Sequence, residues 1–182
     1  MPISNRIPRI AVAALLALSM WFAVDSAQAA SGGMAPGGIK SAQTVPGSKA
    51  KLIKGKAIAP EGAPEKVKAV IAAANRIRNK PYLYGGGHGS FRSRGYDCSG
   101  AVSFALRGGR LIDSPLPSYE LTKWGKRGKG QWITVYGARS HAYMVVAGLR
   151  FDTSMVRGDG PGWSKSLRST PESYKARHPR GF

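Results

Sequence analysis

The chain contains one cysteine, Cys98, and three histidines, His88, His141 and His178. A lone thiol has no intrachain disulfide partner, so Cys98 is inert, paired with another chain, or reactive. Its neighbours favour the third role. Asp97 is a good helix N-cap, and Cys98–Arg107 reads as a short helix closed by Gly108-Gly109. The first turn of a helix supplies partial positive charge, which favours a thiolate. Its unpaired N–H groups also suit a developing oxyanion. A base must reach the sulfur. His88 sits in the glycine-rich stretch Gly85-Gly86-Gly87-His88-Gly89, and His178 in a basic tail. His141 opens an apolar strand, where the backbone holds it rigidly. A helix packed on that strand's sheet brings Cys98 and His141 together, in the usual Cys–His arrangement with a third polar group to orient the imidazole. One cysteine and three scattered histidines show no zinc-ligand spacing, so neither metal nor cofactor is expected.

The elements that must position these groups are short. Val67, Val70, Ile71, Ala74 and Ile77 follow helical spacing after Pro64, and Pro81 ends that helix. The three glycines after Pro81-Tyr82-Leu83-Tyr84 allow close backbone approach. They do not make a phosphate loop, because no Gly-Lys-Ser/Thr follows. In the Cys98 helix, Ala101, Val102, Ala105 and Leu106 form the buried stripe. Residues 111–130 read as irregular and basic. Three strands with period-2 character follow, Gln131–Tyr136, His141–Val146 and Leu149–Ser154, the last two joined tightly around Ala147-Gly148. The end of the chain, residues 157–182, reads as a basic loop.

Residues 1–29 have the pattern of a secretory signal peptide: Arg6 and Arg9, the apolar run Ile10–Val24, and Ala27-Gln28-Ala29 as a cleavage site. The run is too short to span a bilayer comfortably, so no stable membrane span is expected after cleavage. Residues 30–61, rich in Gly, Ser, Ala, Pro and Lys, read as a flexible basic linker. Residues 62–182 are then a single domain. The formal charge is +19, from 28 Lys and Arg against 9 Asp and Glu. Such a surface seeks anionic polymers. Inside a cell nucleic acid would come first; for an exported protein the anionic partners are wall polymers or lipid headgroups.

Pro81-Tyr82, Gly85-Gly86, Tyr96-Asp97-Cys98-Ser99-Gly100 and then His141 before an apolar strand resemble the NlpC/P60 family of cell-wall cysteine peptidases. The resemblance covers about residues 64–154. It implies an α+β, papain-like fold in which a nucleophile-bearing helix packs on a small antiparallel sheet. It implies hydrolysis of amide bonds in peptidoglycan stem peptides, commonly between D-γ-glutamyl and a diamino acid. Cys98 becomes the nucleophile, His141 the general base, and Tyr82 a contributor to the oxyanion site. The family's third polar residue, usually histidine, aligns by spacing with Thr153. Strand alternation turns its neighbour Asp152 to the other face unless a bulge near Gly148 shifts the register. A backbone carbonyl or a water is a further alternative. The missing third histidine keeps a second reading open, a non-catalytic cationic wall-binding module with a degenerate site.

Overall fold

The computed structural model describes residues 43–154, 160–169 and 173–182. The expected signal segment 1–29 and the start of the expected linker lie outside the described residues.

From residue 43 the linker expectation fails. Strands β1 (Lys51–Ile53) and β2 (Lys56–Ile58) form an antiparallel hairpin. Its turn, Lys54-Gly55, has positive φ at both residues, 47° and 74°, as a two-residue hairpin turn requires. Ala50, Ala57 and Ala59 are buried against the body of the domain, and the Ala50 N–H donates to Ala147 O at 2.8 Å. The buried face is carried by alanines and the exposed one by Lys51, Lys54 and Lys56. Composition therefore resembled a linker while alternation made a strand pair.

Helix α1 (Glu65–Ile77) buries Val67, Val70, Ile71, Ala73, Ala74 and Ile77, the stripe its spacing predicts plus one alanine. Helix α2 (Cys98–Gly108) begins and ends close to expectation. The two helices meet at the glycines that close α2. A Cβ on Gly108 would lie 2.2 Å from the Ala73 Cβ, and one on Gly109 2.8 Å from Lys66 O. These glycines therefore serve the helix contact as well as the helix end.

Helix α3 (Ser118–Leu121) and strands β3 (Lys126–Arg127), β4 (Ile133–Gly137), β5 (Ala142–Val146), β6 (Leu149–Asp152), β7 (Gly162–Ser164) and β8 (Lys175–His178) complete the described elements. The sheet is antiparallel with order β3-β8-β4-β5-β6-β7. Strands β4, β5 and β6 are those expected. The stretches read as irregular and loop-like supply β3, β7 and β8, which are two to four residues long. Strands that short carry too few alternations for periodicity to register. Ile133, Val135, Met144, Val146, Leu149 and Phe151 are buried in one core cluster with Val67, Val70, Ile71, Val102, Ala105 and Leu106 of the two helices. The result is the expected α+β architecture of helices packed on an antiparallel sheet.

Asn75 ties three parts together. Its Oδ1 accepts from the Ala57 N–H at 3.0 Å and from Trp163 Nε1 at 3.0 Å, and its Nδ2 donates to Ala57 O at 2.8 Å. The hairpin, α1 and β7 share this one amide. Replacing Asn75 with Ala removes three hydrogen bonds, each worth about 1 kcal/mol net. It should lower stability by roughly 2–4 kcal/mol, read by denaturant unfolding of the full chain.

Candidate active site

The start of α2 is built by Asp97. Its Oδ1 accepts from the Gly100 N–H at 2.8 Å, which caps the helix. Its Oδ2 accepts from the Gly85 N–H at 3.1 Å, which fastens the glycine loop to that cap. The loop rests directly on the helix: a Cβ on Gly100 would lie 2.0 Å from Gly86 O. Glycine at position 100 is therefore a steric requirement of the loop. Cys98 is the first residue of α2, so its N–H has no acceptor within the helix.

His141 immediately precedes β5. Its carbonyl accepts from the Ala138 N–H at 2.8 Å, closing the β4–β5 turn. Ser118 Oγ donates to Arg139 O at 3.0 Å, which pins α3 to the same turn. Cys98 is near enough to the His141 ring to help raise its pKa, and His141 Nε2 lies 3.0 Å from Asp152 Oδ1. With Nε2 turned to Asp152, Nδ1 is the nitrogen left for the sulfur. Cys98, His141 and Asp152 thus stand together, with the imidazole bonded to the carboxylate.

The orienting carboxylate is Asp152 rather than Thr153, and it needs no bulge. Val146 pairs with Leu149 and Val145 with Arg150, across a turn with positive φ at Ala147 (47°) and Gly148 (85°). Continuing that register sets Asp152 opposite Tyr143, two residues from His141 and therefore on its face of the sheet. Thr153 falls opposite Ala142 instead. The expectation took Thr153 from the spacing of the family pattern rather than from strand parity. The tight turn around Ala147-Gly148 already contained the correct parity.

Asp152 has none of its side chain exposed. Its other contacts are the Ser154 N–H at 3.1 Å, Ser154 Oγ at 3.0 Å and the Arg168 guanidinium at 3.0 Å, with Arg150 Nε 3.7 Å away. Arg168 was not singled out in the sequence, because it lies in the stretch read as a basic loop. The same Arg168 nitrogen reaches Ser154 Oγ at 3.0 Å, and the guanidinium lies over the Tyr143 and Tyr174 rings. Both tyrosines pack near the His141 ring, with centroids 6.4 Å away.

This surrounding sets the protonation states. Burial disfavours an imidazolium, but hydrogen bonds to Asp152 and Cys98, and the charges of both, outweigh it and lift His141 from 6.5 to about 9. Burial likewise disfavours the carboxylate, yet bonds from His141 and Ser154 hold Asp152 down at about 2. At neutral pH the pair is charged, imidazolium against carboxylate.

Tyr82, Ser99, His88 and Arg139 line a cavity of about 490 Å³ that contains Cys98. The Tyr82 phenol is pushed above its ordinary 10, first by burial and then by the nearby Cys98, Asp97 and Tyr84. Its hydroxyl therefore keeps its proton at neutral pH. His88 Nε2 lies 2.9 Å from Asp97 Oδ2 and 2.9 Å from Ser99 Oγ. A second His–Asp pair thus stands on the other side of the helix start. His178 lies apart, its Nδ1 2.9 Å from Phe182 O. Trp124 and Trp132 pack against the core.

No protein-family model and no curated protein matches the sequence. Solved structures do match. The peptidoglycan hydrolase RipB from Mycobacterium tuberculosis is 19% identical, covering 65% of this chain and 73% of its own, with a TM-score of 0.50. The chain has the NlpC/P60 fold. The P60 domain of an antigen from M. avium subspecies paratuberculosis is 19% identical over 62% of this chain and 94% of its own, at a TM-score of 0.48. RipD from M. tuberculosis, described as a non-catalytic, peptidoglycan-binding NlpC/P60 protein, is 21% identical over 63% and 98%, at 0.46. The resemblance read from residues 81–100 and His141 is borne out in the fold.

The His141–Asp152 pair makes stability depend on pH from both sides. The His141 contribution is complete below 6.5 and lost as pH rises through about 9. The Asp152 contribution is complete above 3.8 and lost as pH falls through about 2. Asp152→Asn should flatten the fall in melting temperature between pH 6.5 and 9 that the parent chain shows in thermal scans.

Arg168 shares the carboxylate with His141 and so restrains the charge His141 feels. Arg150 is the other cation on that carboxylate; Cys98, Tyr143 and Tyr174 are the remaining titratable neighbours. Arg168→Met should raise the pH at which the His141 ring loses its proton beyond that of the parent, and Arg168→Lys should fall between. NMR titration of the imidazole reads both.

Proposed function

We propose that the chain is a secreted, cell-wall-associated cysteine peptidase of the NlpC/P60 family that cleaves amide bonds in peptidoglycan stem peptides. The observation that carries the reading is the placing of Cys98 beside His141, whose ring is bonded to buried Asp152, with Cys98 lining a cavity shared with Tyr82. The thiolate attacks the scissile carbonyl and His141 carries the proton. The Cys98 N–H and the Tyr82 hydroxyl receive the oxyanion. Imidazolium donates to the leaving amine, an acyl-enzyme forms on Sγ, and a water activated by His141 releases it. Asp152 keeps the ring oriented and stabilises its charge, the work first sought in Thr153.

The alternative of a non-catalytic wall-binding module rested on the missing third histidine. Asp152 beside His141 supports the catalytic reading over it. The basic surface fits anionic wall polymers in either case, and the D-γ-glutamyl to diamino-acid linkage is the bond the family resemblance implies. The export pattern of residues 1–29 supports action outside the cell.

The test is incubation of the protein with purified peptidoglycan and mass spectrometry of the released fragments. The parent should release stem-peptide fragments whose masses name the bond. Cys98→Ala should release none, and Asp152→Ala should slow release by about a hundredfold or more. Wall binding without fragments from the parent would decide for the binding module.

A further inference from the structure

A second concavity lies at the β3 edge of the sheet. Its volume is about 570 Å³, and Lys123, Arg127, Lys175 and Arg177 line it together with Thr122 and Tyr174. Arg177 is held in place by donating through Nε to Thr122 O, which leaves the end of its guanidinium for another acceptor. Lys126 and Lys129 adjoin on the same turn and are exposed. One carboxylate stands nearby, Glu120, 3.6 Å from the Lys123 ammonium. Four cations against one exposed carboxylate leave the groove strongly positive. An apolar or cationic occupant is excluded on charge alone.

The chemistry of the lining narrows the partner. Two guanidiniums present planar forks that match phosphate oxygens, and the two ammoniums act as point charges beside them. Strands of nucleic acid also need aromatic faces for their bases. One ring lines the groove, Tyr174, whose neighbours His141 and Tyr143 already pack against it; the exposed Tyr119 beside it already carries the Lys123 ammonium 4.3 Å over its ring, and Trp124 and Trp132 pack against the core. We infer that the groove between α3, β3 and β8 binds a linear phosphate-bearing polymer of the cell surface, not a nucleic acid. Tyr174 forms part of its wall and also touches the catalytic imidazole, so a bound chain lies directly behind the active site.

This deepens the reading of the basic surface as polymer-facing, and the experiment separates the two. Full-length protein carrying Cys98→Ala binds short-chain inorganic polyphosphate, measured by fluorescence anisotropy across a salt series. A groove triple, Lys123→Ala with Arg127→Ala and Lys175→Ala, is compared with a hairpin triple, Lys51→Ala with Lys54→Ala and Lys56→Ala. All six side chains are exposed, and both triples remove the same charge. The groove triple should bind about tenfold more weakly or worse and show a shallower salt dependence, because fewer counterions are exchanged. The hairpin triple should stay within about threefold of the parent. Equal losses in both triples would overturn the groove and leave a diffuse basic surface standing. No binding by the parent would overturn both. A single-stranded oligonucleotide that binds more tightly than polyphosphate at matched salt would overturn the choice of partner.

Discussion

A carboxylate with no exposed surface must be met by donors from within the protein, since its desolvation is otherwise prohibitive. Asp152 is met from every side. His141 comes from the start of β5, Ser154 from just beyond β6, Arg150 from β6 itself and Arg168 from the segment after β7. Removing one partner of a buried pair costs roughly 3–5 kcal/mol. That is a large share of what a domain of this size has to spare. The segment after β7 therefore has to return to the sheet's outer face, and the rings of Tyr143 and Tyr174 settle around the guanidinium it delivers. The active-site histidine is oriented as a consequence of satisfying this one charge.

Cys98 is fixed by a separate acid. Asp97 spends both oxygens on backbone N–H groups, one in its own helix and one in the glycine loop, and His88 closes over the pair. The loop can lie this close only because residues 87 and 100 lack side chains. Two His–Asp pairs thus hold the two halves of the site. One faces the sheet and titrates with the chemistry. The other faces the loop and sets where the helix begins. The helix start belongs to the α-layer and the imidazole to the sheet, so the packing of α2 on the sheet fixes how closely sulfur and ring approach.

What the sequence revealed and what it hid divide along physical lines. Cys98, Asp97 as its cap, the stripes of both long helices and the three central strands each repeat a local pattern long enough to read. The hairpin at residues 51–58 did not, because its buried residues are alanines among lysines. Nor did β3, β7 and β8, which exist because neighbouring strands offer them hydrogen bonds, not because their residues alternate. Val135 pairs with Arg177, a partnership no local window contains. Asp152 is the instructive case. The two-residue turn at Ala147-Gly148 sets the parity of β5 against β6, and that parity gives Asp152 to His141. Spacing from a family pattern pointed one residue further, onto the opposite face. Arg168 had no signal of its own, since its place depends on a charge that becomes buried only once the sheet has formed.

The distribution of acids completes the picture. Among the described residues, Asp97 and Asp152 are buried in the site, whereas Glu61, Glu65, Asp113 and Glu120 are exposed. Three of those four sit beside a cation: Glu65 with Lys68, Asp113 with Arg107 and Glu120 with Lys123. Among the described residues, negative charge mostly serves either to hold Cys98 and His141 or to form local surface pairs. Exposed pairs contribute little to stability, so these do not explain why the chain carries so much positive charge. A field of one sign works at longer range and favours anionic over cationic partners. Both histidine pairs sit where the protein has concentrated its few internal acids. The imidazolium of His141 therefore keeps its counter-charge beside it, inside a molecule that is otherwise cationic almost everywhere.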